Sequence, residues 1–153
     1  MRKTWIIALL LSVMLCAFAT IAYVNADELP AGPIRDRHEL MEGVGKNAKI
    51  IGDALKAGNT APVAGAAEKI QAAAGKVAAL FPPGSTSPKS RAKAEIWQDF
   101  PKFESDSKHL QTNAAALAAA AKAGGDVSAA AHKLFDACKS CHDQFRAPEK
   151  KKA

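Results

Sequence analysis

The sequence predicts an all-α protein, an antiparallel left-handed four-helix bundle. Alanine dominates and β-branched residues are sparse, which favours helix over strand. Apolar positions recur at spacings of three and four over four helix-length segments. Glycine and proline separate those segments by short connections, which favour antiparallel neighbours.

The first helix is expected over 34–57. Ile34, Met41, Ala48 and Leu55 form its inward seam, with Val44 and Ile51 between them, and Gly58 stands where a left-handed cap is common. Asn59 and Thr60 form a capping pair for the second helix, which has Pro62 in its first turn and a stripe of Val63, Ile70, Val77 and Leu80. Phe81-Pro82-Pro83-Gly84-Ser85 stops it, because neither proline can continue the ladder. The stretch to about Ser90 reads as the longest loop. The third helix is expected over roughly 92–123, with Ile96, Phe100, Phe103, Leu110, Ala114, Leu117 and Ala121 on one face. Pro101 falls inside this pattern and implies a kink or a late start. Gly124 and Gly125 close it. The fourth helix is capped by Asp126 and runs to about Arg146, with a stripe of Val127, Ala131, Leu134, Cys138, Cys141 and Phe145.

The beginning of the chain reads as an export signal over 1–26. Arg2 and Lys3 precede a nearly unbroken apolar run, and Val24-Asn25-Ala26 offers small residues for cleavage, with Ala19 a second candidate. An uncleaved anchor is the alternative, since the apolar run continues weakly through 21–24. Cys16 lies in this segment as apolar filler. Residues 27–153 then form one domain, exported to the periplasm and free of the membrane after cleavage. Removing Arg2 and Lys3 leaves +4 of the formal +6 charge. Much of that excess is the lysine tail at Lys150, Lys151 and Lys152, which reads as a solvated end. No basic stripe with interleaved aromatics is present, which excludes a nucleic-acid role.

Two cysteines remain in the mature domain. Cys138-Lys139-Ser140-Cys141-His142 has the spacing of a haem attachment site. Residues three apart on a helix share a face, so both thiols can reach the two vinyl groups on one haem edge, and His142 then stands beneath the iron as axial ligand. An alanine-heavy bundle is short of bulk, and one covalently bound haem would complete its interior. A disulfide across so short a loop removes little unfolded-state entropy. A thioredoxin-like dithiol follows a strand, and none is visible. A structural zinc site wants four ligands, whereas His38, His109 and His132 are scattered and read as solvated.

The chain resembles the class II cytochromes c, the cytochrome c′ family, across nearly all of 33–146. The resemblance rests on Arg37-His38-Glu39-Leu40-Met41 with Gly45-Lys46-Asn47, on Leu80-Phe81-Pro82, on Arg91-Ala92-Lys93-Ala94-Glu95-Ile96-Trp97 with Phe103, and on Cys138 to Arg146. It implies one haem c near one end of the bundle, with the first helix over its distal face. It also divides the family at the residue four after Arg37. An apolar residue there implies five-coordinate iron that binds nitric oxide or carbon monoxide. A methionine implies a sixth ligand and a low-spin electron-transfer protein. Here that residue is Met41, which also lies on the inward seam, where core filler is the alternative role.

The resulting expectation is a periplasmic electron carrier with His142 and Met41 as axial ligands, performing no bond-making chemistry and serving redox proteins of unknown identity. The alternative is a five-coordinate gas-binding protein. A haem-free dithiol or metal-binding bundle is a third reading. Arg37 is a candidate to contact a haem propionate or to form a surface salt bridge. Arg146 is a candidate to shield the proximal imidazole or to cap its helix. Trp97 either borders the haem edge or is ordinary core. Gly43 and Gly45 suit a close backbone approach to a ring or helix, or tolerate solvent. The family resemblance also leaves a homodimer through the first two helices open.

Overall fold

The computed structural model describes residues 29 and 31–149; the export signal expected over 1–26, its cysteine and the lysine tail lie outside them. The described residues are helical, in the order α1 (Pro33–Lys56), α2 (Val63–Ala74), a 3₁₀ turn (Ala78–Leu80), α3 (Glu95–Gln98), α4 (Phe100–Ala123) and α5 (Val127–Phe145). Among them no helix is long and apolar enough to cross a membrane.

The first and last helices match the expected spans closely. α1 closes on Gly58 at φ 65°, with the Gly58 amide donating to Leu55 and the Asn59 amide to Ala54. That double hydrogen bond is the usual glycine-terminated helix end. α5 starts at Asp126, whose carboxylate accepts from the Ala129 amide at 2.9 Å. This satisfies one of the four donors that every helix start leaves without a partner.

The middle helices depart from the expected spans. The second does not reach Leu80: it ends at Ala74, with Gly75 as its cap. A side chain at Gly75 would place its Cβ 2.9 Å from Gln111 Nε2 on α4, so the glutamine side chain would have to shift to admit one. The third divides in two. Asp99 leaves helical geometry, its carboxylate accepts from the Lys102 amide, and Pro101 occupies the first turn of α4. Pro101 therefore marks a late start and not a kink, since proline at that position loses no helical hydrogen bond.

The four longer helices form the bundle. α2 packs along α4, α4 along α5, and α1 along α2, whereas α1 and α5 meet sparsely. Two cores result. The larger is rich in alanine: Ala66, Ala67, Ala74, Ala114, Ala118 and Ala131 surround Ile51, Ile70, Leu117 and Leu134. The smaller, at one end, comprises Val77, Phe81, Ile96, Phe103 and Phe145.

Candidate functional site

α5 sets the spacing of the site. Its stripe buries Val127, Ala131, Leu134 and Phe145, and the two cysteines continue that stripe half-buried. Cys138 packs against the alanine-rich core and Cys141 against the aromatic one, so the thiols straddle the junction. Both are free. Burial pushes both thiols up, Cys141 to about 11, where Asp106 adds to the effect and Lys102 opposes it. His142 is exposed, with its imidazole held below the ordinary value by desolvation and then by Arg146 and Arg91. A neutral imidazole keeps a lone pair for a metal.

The last turn of α5 is pinned by backbone. The segment before α3 pairs with the chain after α5 through an antiparallel bridge, Ala92 to Arg146. The Lys93 amide donates to Phe145 O at 3.0 Å and the Ala147 amide to Arg91 O at 2.7 Å. Lys93 Nζ donates to Gln144 O and Arg91 Nε to Ala147 O. Two of these bonds occupy α5-end carbonyls that otherwise lack partners, those of Gln144 and Phe145, and together the four hold the turn that carries Cys141 and His142.

Across from α5, α1 presents Leu40 and Met41. Leu40 touches both cores, and Met41 packs against the aromatic core, as Cys141 does. The structure thus brings Met41 and Cys141 to one cluster. One turn earlier, Arg37 is buried at 5% exposure, which excludes a surface salt bridge. Its guanidinium donates to Leu80 O, to Ser85 Oγ and O, and to Ser90 Oγ, and lies 4.6 Å above the Phe81 ring. A propionate contact would compete with these bonds. Ser85 and Ser90 carried no signal in the sequence beyond that of a polar loop, and Arg91 and Lys93 none as fasteners of α5.

Trp97 is half-buried against the aromatic core, its indole donating to Phe81 O and Pro82 O at 3.1 Å each. Arg146 is exposed, and its amide closes the last turn of α5 on His142 O. No atom from another helix lies within 4 Å of a Cβ built at Gly43 or Gly45, so no neighbouring helix among the described residues requires either glycine. His38, His109 and His132 are exposed, as expected. A shallow groove between α4 and α5 is lined by Asp106, His109, Asn113, Lys133 and Asp136, and by neither thiol nor His142, so it is not the haem site.

The family model for cytochrome c′ matches residues 32–146. The chain belongs to this family. The cytochrome c′ of Rhodospirillum rubrum is 33% identical over 138 residues, spanning 87% of this chain and 93% of that protein. The crystal structure of cytochrome c′ from Thermochromatium tepidum superposes with a TM-score of 0.71 at 32% identity, covering 76% of this chain and 95% of that one. A mutant of the Alcaligenes xylosoxidans cytochrome c′, solved as its nitric oxide complex, aligns with a TM-score of 0.68 at 25% identity and covers 77% and 98%. These relatives are cytochromes c′ and do not single out a low-spin, methionine-ligated subgroup. A cytochrome c′ binds one covalently attached haem c, a four-helix bundle enclosing it. The donor set fits that group. Two unpaired thiols three apart and an imidazole one residue further share one face of α5.

Proposed function

We propose that this cytochrome c′ is an exported one-electron carrier whose haem c is joined to Cys138 and Cys141 and ligated by His142 from α5 and Met41 from α1. One observation carries the reading: Met41 and Cys141 pack against the same aromatic cluster, from two helices that meet only sparsely. When bound, haem c supplies a one-electron iron couple. The chain's own residues do the rest. Cys138 and Cys141 fix the ring along α5, and the pinned last turn sets the direction of His142. The thioether of Met41 is a soft donor that raises the reduction potential and closes the remaining position to small ligands. Coordination that is the same in both oxidation states keeps reorganisation small, which suits electron exchange with periplasmic redox proteins. The protein performs no bond-making chemistry in this reading.

The absorption spectrum of the oxidised, matured protein tests it. A sulfur-to-iron charge-transfer band is expected that disappears in Met41→Ala; the same spectrum in both proteins rejects methionine ligation. Intact mass tests export and attachment together: the mature chain should begin at Asp27 and carry one added porphyrin.

A second reading is the one the relatives match better. They are named cytochromes c′, and the Alcaligenes xylosoxidans protein is a nitric oxide complex. Met41 would then pack beside a five-coordinate iron that binds nitric oxide or carbon monoxide. A high-spin spectrum with rapid carbon monoxide binding in the unmutated protein selects this reading over the first.

A further inference from the structure

We propose that Arg37 is a positioning residue for the haem site: its guanidinium fastens the loop after the 3₁₀ turn onto α1, and so fixes the turn of α1 that carries Leu40 and Met41 opposite Cys141. The proposal rests on the reading that the haem lies between α1 and α5.

The hydrogen bonds of Arg37 are those of a clamp. The four terminal N–H groups of its fork match four acceptors, Leu80 O at 3.4 Å, Ser85 Oγ at 2.9 Å, Ser85 O at 2.7 Å and Ser90 Oγ at 2.9 Å. None of these acceptors is a carboxylate. Ser85 Oγ donates its own proton to Pro82 O at 2.8 Å, which leaves its lone pairs to Arg37. The Phe81 ring closes the underside of the guanidinium. From the other side, the Trp97 indole takes Phe81 O and Pro82 O. Three successive carbonyls, those of Leu80, Phe81 and Pro82, are thus held by side chains from α1 and α3. A loop gripped from two helices is a wall of the site and not a loose connection.

The clamp reaches the site through α1. Arg37 and Met41 are one turn apart on one helix face. Leu40, Met41, Trp97 and Cys141 all pack against the cluster that contains Phe81. Releasing the loop frees α1 to rotate or slide at the turn that faces the iron. A planar fork is needed to span these acceptors, and a lysine ammonium cannot do so even though it keeps the charge. If Arg37 instead served a propionate by charge, lysine would replace it and the two serines would be dispensable.

The test uses the full chain carrying its haem, with Arg37→Lys, the double variant Ser85→Ala/Ser90→Ala, and Ser107→Ala as control. Ser107 is buried and donates to Ala74 O at 2.8 Å, so its loss weakens the α2–α4 contact away from the loop. Hydrogen exchange of the peptide over 78–92 should run roughly five- to tenfold faster in Arg37→Lys and in the serine variant, the scale expected for losing one or two hydrogen bonds. Both variants should also change the spin-state composition of the oxidised spectrum or, in a five-coordinate protein, the carbon monoxide association rate. Ser107→Ala should lower the melting temperature and leave exchange and spectrum unchanged. A wild-type spectrum in Arg37→Lys, a silent serine variant, or an equal spectral change in Ser107→Ala overturns the proposal while leaving the haem reading intact. Absence of porphyrin mass on the unmutated chain overturns both.

Discussion

The two cores of this bundle are built on opposite principles. In the alanine-rich core, small side chains let α2 approach α4, α4 approach α5 and α1 approach α2, and density comes from helix meeting helix. In the aromatic core, rings do the filling. Phe103 sits 4.7 Å from Phe81 and 5.2 Å from Phe145, both edge-to-face, and polar clamps hold the connecting loop around them. The difference separates two ends of one fold. The alanine-rich core joins all four long helices, α1 contributing Val44, Ile51 and Ala54, while rings fill the end where Cys141 and Met41 stand.

Phe103→Ala tests the aromatic end most severely. Phe103 is 3% exposed and central to the ring cluster, and its truncation should cost about 3–5 kcal/mol in chemical denaturation of the haem-loaded protein. A loss below 1 kcal/mol would remove the distinction between the two ends. Next comes the junction between the cores. In chain produced without haem attachment, the Cys141 thiol at about 11, against an ordinary 9.0, should hold back the thiolate about a hundredfold near pH 8. The sign follows from burial: a raised thiol pKa lowers the reactive fraction at every pH below it. Alkylation of Cys141 should therefore lag that of a model thiol by that factor and recover as pH rises toward 11. Equal rates would mean that the junction is wetter than described.

Ala114→Leu tests the other principle. Ala114 is fully buried between closely packed helices, so added methylenes should cost about 1–3 kcal/mol by overpacking and leave the oxidised spectrum unchanged. A spectral change would show that strain passes from one core to the other. The smallest effect is expected for Asp126→Ala, about 1 kcal/mol from the lost cap of α5. Because that cap is at the far end of α5 from Cys141, porphyrin attachment should be unaffected, as intact mass would show.

What could be seen in the sequence was local. The spans of α1 and α5, the glycine end at Gly58 and the cap at Asp126 depend on residues a few positions apart, and they stand as expected. The attachment spacing at Cys138, Cys141 and His142 is local too, as is the place of Met41 on an inward seam. Gly75 shows what was not visible. Its helix ends against Gln111 of α4, whose side-chain amide stands 2.9 Å from where a Cβ would be, and no local pattern reports a neighbour from another helix. Arg37 shows the same at the site. Its acceptors lie 43 to 53 residues away, and two of them are backbone carbonyls whose position no side chain announces. Pro101 was readable only as a choice between kink and late start. The carboxylate of Asp99, which accepts the Lys102 amide, decides it.

The tie between the strand-like segment at Ala92 and the residues after α5 has a consequence for variation. Its central bonds are made by the amides of Lys93 and Ala147, not by side chains. The side chain at Ala147 is therefore free to change with little penalty, whereas a change at Lys93 also gives up its Nζ bond to Gln144 O. Proline is barred from both positions, because it would delete the donor. The chain tolerates its own proline one residue further on, at Pro148, where no such donor is called upon.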